Sequence, residues 1–255
     1  MSVAEFSLTG KVAIVTGGSR GIGRSIALGL AEHGADVAIA ARKPDALAEA
    51  VDAVSALGRR AVGVATNVRR SEELSNLVEE TKRQLGRIDV LVNNAGTNPV
   101  FGPVQEIDER AWDAIMNTNV KSAHLLSCRV REAILEHGEG GSIVNVSSVG
   151  GYRASDVLGG YSVSKAALIM LTQVQAKNWG KDGIRVNCIA PGLVRTDFAR
   201  ALWENEAILK QSTREAALGR IAEPDEMAGA VVYLASAAAS FVTGQTLVMD
   251  GGRLL

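Results

Sequence analysis

The chain has 255 residues, of which 47% are hydrophobic and 22% charged, enough apolar surface for a sizeable core and too much for a disordered chain. Lysine and arginine total 27 against 28 acidic residues, so the net charge of −1 leaves no electrostatic footprint for nucleic acid or an anionic membrane. No apolar run is long enough to span a bilayer. The opening MSVAEFSLTG carries acidic Glu5 and no basic region ahead of an apolar core, so it does not read as an export signal. Cys128 and Cys188 have neither disulfide-framework nor metal-ligand spacing; reduced, buried thiols in a metal-free cytoplasmic protein are the expectation.

Short β-rich runs alternate with longer helical ones along the chain. Lys11 to Thr16, Ala35 to Ala41, Arg60 to Thr66, Ile88 to Asn94, Gly141 to Ser148, Ile184 to Ala190 and Gln245 to Asp250 have the continuous apolar character of strands buried on both faces. Between them, residues 21–34 place Ile22, Ile26 and Leu30 on one helical face and stop at Gly34. Residues 44–58 open with Pro44 and close with Gly58, the usual asymmetry of helix ends. Further helices are predicted over Ser71 to Leu85, Asp108 to His137, Tyr161 to Trp179 and Pro224 to Ala235. Strict alternation implies βαβ units with right-handed crossovers. The expected α/β fold is a single doubly wound Rossmann domain over residues 1–255, with seven parallel strands and helices on both faces. Residues 192–219 give no clear element and read as a functional lid.

The first strand runs into Thr16-Gly17-Gly18-Ser19-Arg20-Gly21-Ile22-Gly23 and straight into a helix. Such a turn lets backbone approach a pyrophosphate closely, and the helix N-terminus offers free N–H groups and positive dipole to it. Strand before and helix after, inside the first βαβ unit, is the context that separates a dinucleotide site from a packing turn. Gly17, Ser19, Arg20, Gly21, Ile22 and Gly23 are therefore expected to line it. At the end of the second strand, where a carboxylate would take the ribose diol of NAD(H), stands Ala41, followed by Arg42 and Lys43. Arg42, with Arg20 facing it, suits a 2′-phosphate, which favours NADP(H) over NAD(H).

Tyr161 and Lys165 lie one turn apart on one helix face. A nearby ammonium is expected to pull the phenol pKa down from its usual value near 10 and so make proton exchange useful. Ser148, 13 residues upstream at the C-terminal end of the fifth strand, could polarise a substrate carbonyl against the tyrosine.

With these residues in place the chain resembles the classical short-chain dehydrogenase/reductase family from about Leu8 to Gly252. The family's glycine signature matches Thr16, Gly17, Gly21 and Gly23, and its fourth-strand motif matches Asn93-Asn94-Ala95-Gly96. Its catalytic tetrad matches Asn119, Ser148, Tyr161 and Lys165, and its Pro-Gly-x-x-x-Thr motif matches Pro191 to Thr196. The resemblance implies hydride exchange with a ketone/alcohol pair, Tyr161 as general acid/base, Ser148 positioning the oxygen, Lys165 on the nicotinamide ribose and Asn119 organising a relay water. It further implies cofactor contacts from Asn94, Ala95, Gly96, Pro191, Gly192, Val194 and Thr196, and from Asn67 and Val68, where Asn67 stands in place of the aspartate many relatives carry. Parts of the chain look like 3-oxoacyl-[acyl-carrier-protein] reductases and others like NADPH carbonyl reductases. Substrate contact is expected from Tyr152, Leu158, Phe198 and Trp203, in a mostly apolar pocket without a cationic anchor for an acid. A homotetramer is expected through the two long helices, using Leu125, Leu126, Leu168 and Leu171, and the last strand. A regulator that binds cofactor without turnover, a sugar or polyol dehydrogenase using NAD(H), and a lyase or epimerase on the same fold are the competing readings.

Overall fold

The computed structural model describes residues 6–255; Met1 to Glu5, on which the reading of the N-terminus partly rests, lie outside the described residues. Seven strands form one sheet in the order β3-β2-β1-β4-β5-β6-β7, all parallel. They are β1 (Val12–Thr16), β2 (Asp36–Ala41), β3 (Ala61–Ala65), β4 (Val90–Asn93), β5 (Gly141–Val146), β6 (Ile184–Pro191) and β7 (Thr246–Met249). Side chains alternate across the sheet. Ala13 and Val15 face a layer built on α1 (Gly21–Glu32), α2 (Pro44–Ser55) and α9 (Ala228–Ala235). Val12 and Ile14 face the opposite layer, built on α3 (Ser71–Leu85), α5 (Ser122–His137) and α6 (Gly159–Trp179). Both faces are covered by helices, which is why the strands read as unbroken apolar runs.

Two elements differ from expectation. The helix predicted over Asp108 to His137 is α4 (Glu109–Met116) and α5 joined by a π-helical turn, Asn117–Lys121, with Asp108 as N-cap accepting from the Ala111 amide. The extra residue per turn leaves the hydrophobic period on either side intact, so periodicity alone does not reveal it. The 192–219 segment holds two short helices, α7 (Arg200–Trp203), too short for a period to stand out, and α8 (Glu206–Glu215), too polar for one.

The sheet reverses its winding between β1 and β4. Ligands bind such folds beyond the carboxyl ends of the strands at this switch point. The glycine turn after β1, Asn94 after β4, Ser148 after β5 and Pro191 at the end of β6 all reach that edge. At the opposite edge Asp89, just before β4, accepts from Arg87 and Lys11 near His137 and Glu139. Those two cations already neutralise the acid cluster there.

Candidate active site

Thr16 closes β1 and fixes the turn behind it. Its hydroxyl donates to the Val92 carbonyl and accepts from the Asn94 and Ala95 amides, at 3.0–3.2 Å. Asn94 Nδ2 donates back to the carbonyls of Thr16 (2.8 Å) and Gly17 (3.2 Å), which ties the turn to the neighbouring strand. A Cβ on Gly23 would collide with the Gly17 carbonyl and Asn94 Nδ2, and Gly21 holds φ +53°. No side chain fits at Gly23, and the left-handed backbone at Gly21 favours glycine. Arg20 is the N-cap of α1 but offers no side-chain cap, and the first helical turn carries no acid. Its N–H groups therefore point, uncapped, at the space beyond the strands, which is the donor set a pyrophosphate requires.

That space is one continuous cavity of about 970 Å³. Its walls include Gly17, Ser19, Arg20, Gly21, Ile22, Gly23, Arg42, Asn67, Val68, Asn94, Ala95 and Gly96, and, further along, Pro191, Gly192, Val194 and Thr196. Ser148, Tyr161 and Lys165 line the same cavity, with Leu158 and Phe198. The dimensions and polarity suit an extended dinucleotide with room left for a second small molecule.

Lys165 is buried, and its Nζ donates to the Val146 carbonyl at 2.8 Å and lies 5.4 Å from the Tyr161 ring centroid. The Ser147 hydroxyl holds the Lys165 carbonyl at 2.8 Å, pinning α6 to the end of β5. Ser148 Oγ accepts from the Gly150 amide at 3.1 Å, so its own O–H remains available to a substrate oxygen. Phe198, from the lid, stacks obliquely on Tyr161 with centroids 6.0 Å apart.

The acid–base properties overturn one expectation. Burial pushes the Tyr161 phenol up to about 12, opposed only by the Ser148 hydroxyl, and pushes Lys165 down to about 8. The lysine was expected to depress the phenol; instead the protein atoms packed around both groups penalise their charged forms, although Tyr161 itself is only half-buried and lines the cavity. Tyr161 is thus firmly protonated at neutral pH, a proton donor in waiting.

Asn119 sits within the π turn, buried, and does not line the cavity. Its Oδ1 accepts from the Thr97 amide (2.8 Å) while Nδ2 donates to the Thr97 carbonyl (3.0 Å) and to Ser164 Oγ (2.9 Å). Both polar atoms of this side chain help to brace the loop after β4 against α6. Both carboxamide N–H groups are spent, so the side chain offers a relay water no donor.

Two of the residues expected at the substrate stand elsewhere. Tyr152 is half exposed and outside the cavity lining, because the 3₁₀ turn over Val149–Gly151 swings it outward. Trp203 also lies outside: its Nε1 donates to the Thr196 carbonyl at 2.8 Å and Arg195 covers its ring at 5.4 Å, so it braces the lid. The substrate pocket was expected to be mostly apolar and without a cationic anchor for an acid; the cavity is nonetheless also lined by Arg153 and Arg253. Arg69, Thr97 and Phe101 were likewise missed. Arg69 follows Asn67-Val68 closely enough that its position beyond β3 was a readable signal; the others come from irregular loops without one. Of the thiols, Cys188 is buried and Cys128 only partly so.

A family profile described as enoyl-(acyl carrier protein) reductase matches residues 17–253. Dehydrogenase/reductase SDR family member 4 of Oryctolagus cuniculus is 41% identical over 245 residues, covering 96% of this chain and 94% of that one. A gluconate 5-dehydrogenase from Burkholderia cenocepacia, solved with NADP and tartrate, superposes with TM-score 0.94 at 33% identity, covering 100% of this chain and 99% of that one. A 7α-hydroxysteroid dehydrogenase, solved with NADH and 7-oxo glycochenodeoxycholic acid, does so with TM-score 0.94 at 32% identity, covering 99% and 97%. The chain belongs to the short-chain dehydrogenase/reductase family, as its sequence motifs had implied. It is an oxidoreductase of that class with a Rossmann-type fold.

Proposed function

We propose that this protein is an NADP(H)-dependent oxidoreductase that interconverts a ketone and a secondary alcohol. The observation that carries the reading is the single cavity, which joins the glycine turn at one end to Ser148, Tyr161 and Lys165 at the other. A bound nicotinamide dinucleotide supplies or accepts the hydride. In reduction Tyr161 donates its phenolic proton to the carbonyl oxygen while the Ser148 hydroxyl holds that oxygen in place. The Lys165 ammonium, fixed by the Val146 carbonyl, stabilises the phenolate that Tyr161 becomes. Asn119 acts at one remove, keeping the loop after β4 and helix α6 in register.

The cofactor preference rests on charge. Around the ends of β2 and β3 the cavity is lined by Arg42, Lys43 and Arg69, with Arg20 across from them. Of its lining carboxylates, Asp156 comes from the loop before α6, and Asp197, from the lid, pairs with Arg20 at 3.7 Å, leaving Arg42, Lys43 and Arg69 in excess. A 2′-phosphate is favoured there and a ribose diol finds no acid. Relatives divide on this point, one being solved with NADP and another with NADH.

A panel of ketones and β-ketoacyl thioesters, assayed for NADPH consumption, tests the proposal. Turnover of at least one ketone is expected, with Tyr161→Phe lowering kcat by at least about 10²-fold. Intact NADPH binding with no turnover across the panel would instead point to a regulator.

A further inference from the structure

We infer that Arg153 and Arg253 form a carboxylate-binding subsite, so that the physiological ketone carries an acid group. The inference rests on the oxidoreductase reading above and adds the substrate class. Both arginines line the catalytic cavity, Arg153 on the loop that follows Ser148 and Arg253 beyond β7. They converge from 100 residues apart because Glu215, at the end of α8, holds both. Its Oε2 accepts from Arg153 Nη1 at 3.1 Å and from Arg253 Nε at 2.9 Å, while its Oε1 accepts from Gln211 Nε2 at 2.9 Å.

One carboxylate therefore serves two guanidinium groups, and the triad keeps a positive charge. Each guanidinium has five N–H donors in a planar fork. Among the described residues only Nη1 of Arg153 and only Nε of Arg253 are engaged, so the remaining edges of both forks are unspent beside the cavity. Asp156, the other carboxylate of this loop that lines the cavity, is exposed and pairs with neither arginine. A planar, singly charged oxyanion that accepts two parallel hydrogen bonds is the ligand such edges select. The Ser148 loop carries both the oxygen-positioning hydroxyl and Arg153, so the subsite reads the end of the substrate remote from its reacting carbonyl.

The test is a set of aliphatic oxo acids, each paired with its primary amide, assayed with NADPH for kcat/KM. For the best acid we expect a preference over its amide of at least about tenfold. Arg153→Gln and Arg253→Gln should each cut that acid-to-amide ratio by about tenfold or more, and Arg153→Lys should restore part of it. Lys210→Gln, which removes an exposed charge from α8 away from the cavity, should leave the ratio unchanged and so separates contact from general field. Amides used as well as acids, or a preference that survives both arginine variants, would overturn the inference. So would a phosphopantetheine-linked β-ketothioester that outcompetes every acid and loses its advantage in the same variants, since the anion read would then be a phosphate. If no ketone is reduced at all, binding of acid and amide to the NADPH complex, followed by cofactor fluorescence, decides the subsite independently of turnover. Equal affinity for the two would sink it while saying nothing about the chemistry.

Discussion

At Tyr161 and Lys165 two physical demands compete. Catalysis needs their charged and neutral forms to exchange, whereas burial resists charging either one. The lysine carries a measurable consequence. Its pKa is about 8 in the folded protein against an ordinary value of 10.5, so between those pH values the unfolded chain holds a proton that the folded one does not. Stability therefore rises with pH through this window, and the burial penalty is present in full below pH 8. Lys165→Met lacks the penalty. Its stability relative to the parent should be highest at neutral pH, with the gap narrowing from pH 8 to 10.5; chemical denaturation across that range measures it. A gap independent of pH would show that the lysine is not desolvated as the geometry implies.

Arg42 is the residue on which cofactor choice turns. Arg42→Ala should weaken NADPH binding by about tenfold and leave NADH nearly unaffected, read by titration of cofactor fluorescence. The identity of these residues was legible from spacing alone. Their ionisation was not, because i, i+4 proximity predicts attraction between a phenolate and an ammonium but carries no information on how deeply each is buried.

Among the elements, the β1–α1 turn has the least freedom. Gly23→Ala would drive a methyl group into the Gly17 carbonyl and the Asn94 side chain, breaking the clasp between β1 and β4. We expect loss of nearly all cofactor affinity with the fold retained, measured by NADPH titration alongside circular dichroism, because the strands themselves are undisturbed. Strands and long helices were readable because both sheet faces are covered and the apolar period is strong. The π turn was hidden for the opposite reason. It inserts local backbone irregularity into an otherwise regular amphipathic stretch, and Asn119 is where that irregularity is put to use. Helix α7 was invisible because four residues are too few to show a period, and α8 because its largely polar sequence buries only Ser212.

For the whole molecule, the exposed apolar residues sit on different positions from those expected. Leu126 and Leu168 are core, whereas Val163, Met170 and Val174 form an exposed stripe at i, i+7 and i+11 along α6, and Leu247 and Val248 lie open on β7. Such stripes are costly in water and are the common mark of a subunit interface. We propose a homotetramer that buries both. Sedimentation equilibrium should give a mass well above the monomer's 26.7 kDa, and Met170→Asp should lower it. A monomer at micromolar concentration would refute this assembly. Long-range convergence was the least legible scale. Nothing local in the sequence signals that Arg153, Glu215 and Arg253 meet, because their union is a product of how the lid folds back across the carboxyl edge of the sheet.

The lid carries its own optical label. The chain has three tryptophans, and Trp112 and Trp179 are built into the body on α4 and at the end of α6. Trp203 alone belongs to α7, with its indole N–H committed to the carbonyl of Thr196, a residue that lines the cavity. Any ligand that draws Thr196 inward must also alter that indole's surroundings. Emission from a chain keeping Trp203 as its lone tryptophan would thus time the segment's movement directly, separating the kinetics of closure from those of the chemical step.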